Sequence, residues 1–436
     1  MRFGKGWGRS GMISNITCYN SDWDMMSLDE FGDFDRGKSR HRPRDDKSLF
    51  GGRYPFVQTG DIKSSNMRVL KYSSTYNDKG LSQSKLWEKG TLCITIAANI
   101  AETAILGIDA CFPDSVVGFV PRENEVDSFF MHYLFCYLKN EIQHSAIGSV
   151  QDNINLAYLN KLRFRVPKLA ERMELSHTLM VLDNKVELNN RINKTLEEMA
   201  QAIFKSWFID FEPFQDGEFE DSELGRIPKG WRVSSLRDNV KISTKSIDPC
   251  KYESLLFEHF SIPAYDEGNV PIFQNSSEIK SNKFCVPESC FLVSKLNPMT
   301  KRIWKPFCTS KNAICSTEFI VYVDINPIFT YFHFLLVNDC AFYDFFVSNA
   351  TGSTNSRQRV IPSTTLKYRY VLPTEETARN FSNIVKPIYE KTQNNKQENL
   401  KLTILRNVLL PKLMNGEIRV PFQKEMGQRD GLVVHQ

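Results

Sequence analysis

With 436 residues, 41% apolar content and 31 phenylalanines, the chain has material for two to four folded cores. No apolar run approaches the roughly 20 residues of a membrane span, and residues 1–11 lack the apolar core of a signal peptide, so a cytoplasmic protein without a membrane partner is expected. A net charge of +4 permits a nucleic-acid partner without requiring one, and the ten cysteines contain no CxxC pair, which argues for buried thiols over zinc.

In chain order, residues 1–20 read as a flexible arm. FGKGWG (3–8) looks like a glycine-rich phosphate loop, but it follows no strand signal and opens no helix signal. A first globular domain is expected over 21–168. It turns basic at Arg36, Lys38, Arg40, His41, Arg42, Arg44 and Lys47, with Arg53 just beyond, and Gly37, Pro43, Gly51 and Gly52 make the stretch a loop. A solvated charge run and a DNA-contacting loop both satisfy that pattern. The preponderance of arginine, which can fork onto guanine, favours the second. Strand-like runs follow at 53–62, 91–98 and 116–120, and FFMHYLFCYL (129–138) reads as a buried helix, so the class is α/β.

Residues 169–209 form the next element. Leu175, Leu179, Leu182, Val186, Asn189, Asn193, Leu196, Ala200, Ile203 and Trp207 recur at spacings of three and four, the narrow seam of a coiled coil. A helix of that length is a rod of roughly 55 Å. An acidic, aromatic linker is expected over 210–228, followed by a second globular domain over 229–374. Its candidate DNA-facing stretch is KLNPMTKRIWKPFCTSK (295–311), with Lys301, Arg302, Trp304 and Lys305, joined by Arg357 and Arg359. Basic and aromatic residues interleaved suit phosphate and base contact, although packing of Trp304 in a core is equally compatible.

A second rod is expected over 375–415, followed by a tail over 416–436. Its seam carries Phe381, Val385, Ile388, Asn395, Asn399, Leu402, Leu405 and Leu409, and most of these lie 206 positions beyond a residue of the first seam. Pro167 and Pro373 share that offset, as do Asn189 with Asn395 and Asn193 with Asn399. Trp231 and Leu236 echo Trp23 and Leu28 at an offset of 208. The chain is an internal duplication. The matched asparagines are expected to fix an antiparallel register unless they are exposed, and Pro387 marks either a kink or the start of the straight rod.

Enzymatic readings find little support. An adenine methyltransferase needs a loop of the NPP[YF] kind; Asn297-Pro298-Met299 lacks the second proline and the aromatic. A nuclease needs carboxylates beside a lysine; Asp266 with Glu278-Ile279-Lys280 has passable spacing without the usual Pro-Asp opening. No catalytic, metal-binding or cofactor-binding residue is expected. A coiled-coil scaffold, or a relic subunit without DNA readout, is the alternative class.

The stretches YPFVQTGDI (54–62), LDNKVELNNRINKTLEEMAQAIFKSWFIDFEPF (182–214), LGRIPKGW (224–231) and LLPKLMNGEIRV (409–420), in this order on a duplicated frame, resemble the specificity subunits of type I restriction–modification systems. The resemblance implies two α/β target-recognition domains separated by two long antiparallel helices in a pseudo-twofold repeat. Each domain would read one half of a gapped, asymmetric double-stranded DNA target in the major groove. Half-sites on one DNA face would be centred about one helical turn, roughly 34–36 Å, apart. The helices would set the gap and carry two methyltransferase subunits. S-adenosylmethionine would enter with those subunits, and ATP and Mg with the restriction/translocase subunits.

Overall fold

The computed structural model describes residues 22–97, 99–122, 126–147, 154–352 and 358–421. The FGKGWG segment, the 1–20 arm, Arg357 and the tail from 422 lie outside the described residues. The chain divides into two compact units, Met1–Val186 with Lys401–Gln436, and Glu187–Leu400.

Unit 1 contributes β1 (Asp24–Ser27), β2 (Gly32–Arg36), β3 (Phe50–Phe56), β4 (Arg68–Val69), β5 (Ser74–Tyr76), β6 (Leu86–Trp87), β7 (Leu92–Thr95), β8 (Thr103–Leu106), β9 (Ala110–Cys111), β10 (Val116–Pro121) and β11 (Arg163–Val166). They form a five-stranded sheet in the order β2-β10-β7-β8-β4, a four-stranded sheet in the order β5-β3-β9-β6, and the pair β1-β11. β7 is buried along its whole length, as its apolar LCIT sequence requires. The apolar 129–138 run lies within the helix Val126–Ile147, which buries Phe130, Met131, Tyr133, Leu134, Phe135 and Leu138 against the larger sheet.

Unit 2 contributes β12 (Phe219–Ser222), β13 (Gly225–Pro228), β14 (Arg232–Ser235), β15 (Val240–Ser243), β16 (Ser246–Ile247), β17 (Leu256–Phe260), β18 (Ile272–Asn275), β19 (Lys283–Cys285), β20 (Cys290–Ser294), β21 (Ile303–Trp304), β22 (Ala313–Cys315), β23 (Phe319–Asp324), β24 (Ala350–Thr351), β25 (Arg359–Val360) and β26 (Arg369–Leu372). The sheet β15-β23-β20-β21 repeats the connectivity of β2-β10-β7-β8. In the other sheet, β17 pairs antiparallel with β18 and parallel with β22, as β3 does with β5 and β9. β14-β26 stands where β1-β11 stands. Even the entry turn is shared. Ser27 closes a capping box with Glu30 (Oγ to Oε2, 2.7 Å), and Ser235 closes one with Asp238 (Oγ to Oδ2, 2.6 Å). The duplication therefore runs through both globular domains, whose sequences diverge almost completely beyond that opening. The helix of unit 1 is replaced by two, Thr330–Asn338 and Cys340–Ser348, because Asp339 interrupts and caps the second through Ala341 N (2.9 Å).

The fold is α/β with two long antiparallel helices, Leu169–Phe208 and Glu375–Met414. The second continues unbroken through Pro387, which sits exposed and removes only the N–H that would bond the Asn383 carbonyl. Within unit 1, the buried Asp183 carboxylate accepts from Tyr133 Oη (2.8 Å) and Arg406 Nη1 (2.6 Å). Within unit 2, Asn395 Nδ2 donates to Asn193 Oδ1 (2.8 Å), and Asn189 Nδ2 donates to Asn399 Oδ1 (2.8 Å) and Glu398 Oε2 (2.7 Å). Residues 189, 193 and 395 are buried and Asn399 is half-buried. The residues that face one another are thus 193 with 395 and 189 with 399, not the repeat-matched pairs.

The apolar seam is built from Leu175, Leu179, Val186, Ala200, Phe381 and Val385, all buried, while Leu182, Leu196, Ile203, Ile388, Leu402 and Leu409 are half-buried. Leu405 is exposed, because Arg406 takes the inward position to reach Asp183. Phe204 and Phe208 continue the seam into the globular domain of unit 2, where Phe208, Phe211 and Phe214 ring Trp231 at centroid distances of 5.8, 5.6 and 5.0 Å.

This geometry sets opposite signs for single and double changes. Asn395→Leu alone strands Asn193 Oδ1 in the seam and is expected to cost about 1–3 kcal/mol. Asn193→Leu with Asn395→Leu removes both partners and is expected to be neutral or stabilising by about 1 kcal/mol, at the expense of register. Thermal melts of the three proteins check this, and a double variant melting below the single one would refute it.

Candidate nucleic-acid interface

In unit 1 the basic loop leaves the five-stranded sheet at Arg36 of β2 and enters the four-stranded sheet at β3. Gly37 allows the departure: a Cβ there would lie 2.4 Å from the Phe112 and Pro113 carbonyl oxygens, so no side chain fits. Three bonds pin the loop to the domain. Gly37 N donates to Val116 O (2.8 Å), Ser84 Oγ to Lys38 O (2.7 Å), and His41 N to Gln83 Oε1 (3.0 Å). The loop closes on a 3-10 turn, Lys47–Leu49, capped by Asp46, whose Oδ1 accepts from Ser48 N (2.9 Å).

The predicted basic residues divide by partner. Arg44 forks onto both oxygens of Asp114 (2.8 Å each), and Arg42 braces the loop through the Ser39 and His41 carbonyls (2.6 and 2.8 Å). Arg53 bonds Tyr54 Oη (2.7 Å) yet stays largely exposed. Arg40 and Lys47 are exposed and Arg36 and Lys38 half-buried. Among the described residues none of these four has a side-chain ion pair. A pinned loop holding unpaired cations is preorganised for a polyanion, since little loop entropy remains to be lost on binding.

The stretch expected to face DNA in unit 2 is placed differently. Trp304 is 1% exposed, packed edge-on against Phe260 (4.8 Å) and Tyr265 (5.5 Å), so it cannot stack on a base. Arg302 is bidentate to Asp266 (2.7 and 2.8 Å), with its side chain 11% exposed. That pair also occupies the carboxylate considered for a nuclease. Lys305 Nζ donates to Cys290 O (3.1 Å) and burial pulls its ammonium down from the ordinary lysine range. Lys301 Nζ donates to Asn338 O (2.6 Å), and burial lowers it as well. Arg359 bonds Glu318 (3.0 Å). The two apolar residues of β21 are adjacent and enter the core on both sides of the strand, Ile303 in one cluster and Trp304 in another, while the flanking cations bond internal partners.

The loop of unit 2 equivalent to Arg36–Lys47 joins β15 to β17. It too ends in a 3-10 turn with an aspartate cap, Pro249–Lys251 behind Asp248, whose Oδ1 accepts from Cys250 N (3.2 Å). It carries Lys245, Lys251 and Tyr252. Isolated lysines gave no cluster to notice in the sequence, although the offset of 208 that aligns Trp23 with Trp231 carries 36–47 onto 244–255.

Residues 20–198 match the type I restriction modification DNA specificity domain. The chain is 25% identical to the type I restriction enzyme MjaIX specificity subunit of Methanocaldococcus jannaschii, over 95% of this chain and 98% of that one. It is 26% identical to the HindI specificity subunit of Haemophilus influenzae, over 91% of this chain and all of that one. The fold is similar to that of a type I restriction–modification S subunit from M. genitalium, with a TM-score of 0.55 at 15% identity over 91% of this chain and 97% of that one. No helix among the described residues is long and apolar enough to cross a membrane. A duplicated α/β frame on two long helices, matched over nearly its whole length by such relatives, makes the chain similar to the specificity subunits of type I restriction–modification systems.

Proposed function

We propose that this chain directs a type I restriction–modification complex to a bipartite, gapped DNA target, each unit reading one half-site. The observation that carries the reading is the pairing of one topology with two chemically different loops. A shared frame delivers the two loops equivalently, and their different side chains suit an asymmetric target. The long helices, with their polar register contacts, suit a spacer that sets the gap and offers docking faces to methyltransferase subunits. The chain supplies no catalytic group of its own; the methyl donor arrives with the modification subunits, and ATP and Mg with the restriction subunits.

The test is a map of N6-methyladenine in host DNA with and without the gene. Loss of one gapped, asymmetric motif is the expected result. An unchanged map, with the methyltransferase partner expressed and active, would favour a scaffold without DNA readout.

A further inference from the structure

The helix Val126–Ile147 carries His132 and Cys136 four residues apart, on one face and one turn from each other. Cys136 Sγ lies 3.8 Å from His132 Nε2 and 3.9 Å from Thr103 Oγ1, and Thr103 Oγ1 lies 3.0 Å from His132 Nδ1. The histidine is buried, but Cys136 is only half-buried and lines a cavity of about 230 Å³ within unit 1, together with Asn66, Lys139 and Arg406. Glu102 takes Lys139 (2.8 Å), and Asp183 takes both Arg406 (2.6 Å) and Tyr133 (2.8 Å), which leaves the sulfur as the partner of His132 Nε2. Burial opposes charge on both members of the pair, yet each outweighs it for the other. The imidazole stands above the ordinary histidine range, and the thiol stands below the ordinary cysteine range, with the Thr103 hydroxyl and Arg406 adding to the second effect. Burial pushes Cys93, Cys111, Cys290, Cys308 and Cys315 the opposite way. A thiol kept for packing sits among apolar side chains, as Cys93 and Cys290 do. Cys136 instead faces two polar partners and an open, polar cavity.

We propose that Cys136 is a modification site for small hydroperoxides, with its sulfur as the nucleophile and His132 as the proton donor. With hydrogen peroxide, the thiolate sulfur attacks one oxygen, and the S–O bond forms as the O–O bond breaks. Sulfur loses two electrons and becomes a sulfenic acid. The departing hydroxide takes the proton of His132 Nε2 and leaves as water, so the imidazole ends neutral. Thr103 Oγ1, accepting from Nδ1–H, keeps the ring turned with Nε2–H toward the sulfur. The cavity has room for the oxidant, since one water fills about 30 Å³ of liquid. The added oxygen sits against the turn of the second long helix that brings Arg406, Asn407 and Leu410 to the cavity. Oxidation therefore wedges the contact through which that helix completes unit 1.

The full chain is treated with hydrogen peroxide at about pH 6.5 in the presence of dimedone, which traps sulfenic acids, and each cysteine is read by peptide mass spectrometry. At that pH an ordinary thiol, with a pKa of about 8.5, is only about 1% thiolate. Label is expected on Cys136 several-fold ahead of the exposed Cys250 and Cys340. His132→Gln is expected to slow labelling of Cys136 about 10-fold and to leave Cys250 and Cys340 unchanged. Should that variant not fold, the wild-type pH profile decides. Labelling of Cys136 that holds from about pH 7.5 down to about pH 6 supports the pair, and a fall of about tenfold per pH unit, as for an ordinary thiol, overturns it. Labelling of Cys136 no faster than that of Cys340, or only after unfolding, overturns the site. Peroxide is expected to lower the melting temperature of the wild-type chain and not that of Cys136→Ser; equal melting of the two after treatment overturns the wedge.

Discussion

Alanine at Arg36, Arg40 and Lys47 together is expected to lower target affinity at least about 100-fold at physiological salt, at roughly 1 kcal/mol or more per contact. These cations project from a pinned loop and have no ion pair among the described residues, so their removal leaves no buried carboxylate unpaired and does not threaten the fold. If all three touch phosphate, the slope of log affinity against log salt should fall by roughly 2.7. If Arg36 or Arg40 forks onto guanine, the methylation map should instead relax at one position of one half-site, with the other half-site intact. Arg44→Ala provides the internal contrast. It frees Asp114, which Arg42 already approaches at 3.9 Å, and should cost less than Arg40→Ala. Equal losses from Arg44 and Arg40, or none from the triple variant, would show that the loop is not the contact.

Phe204→Ala is expected to destabilise unit 2 by about 3–5 kcal/mol, the cost of emptying a phenylalanine-sized space in a core. Phe204 is fully buried and lies 5.3 Å from Phe208, 5.8 Å from Phe332 and 6.2 Å from Phe381, so it fastens three helices of that unit at one point. At roughly 2–4 °C per kcal/mol for a unit of this size, the melting transition should drop by about 6–20 °C. Phe204→Leu keeps most of the volume and should recover most of the loss. Calorimetry checks both, and a drop under about 3 °C for the alanine variant would mean that the rings collapse to fill the space.

Much of the frame was legible because its signals are local or periodic. The long helices show themselves at spacings of three and four, and the duplication shows itself as a fixed offset, even where asparagine replaces leucine. Which asparagines face one another was not legible, since repeat symmetry matches 189 with 395 whereas antiparallel pairing joins 193 with 395. The polar seam position Asp183 was hidden for a similar reason: its partners, Tyr133 and Arg406, are remote in sequence. Trp304 was placed at a DNA face because an apolar pair between basic residues reads alike whether it meets a base or a core, and here Ile303 and Trp304 enter two core clusters.

The division of the chain has a consequence for its biosynthesis. Leu413 and Met414 complete the core that holds Trp23, Phe164 and Leu175, and Arg419 bonds both Asp22 (2.9 Å) and Glu171 (3.1 Å). The unit translated first therefore lacks part of its own interior until residues 401–421 have left the ribosome. Unit 2, contiguous over 187–400, can close before then. Vectorial synthesis thus runs opposite to the order of completion: the early-made domain waits on the ribosome with an apolar flank uncovered, and the late-made one finishes first.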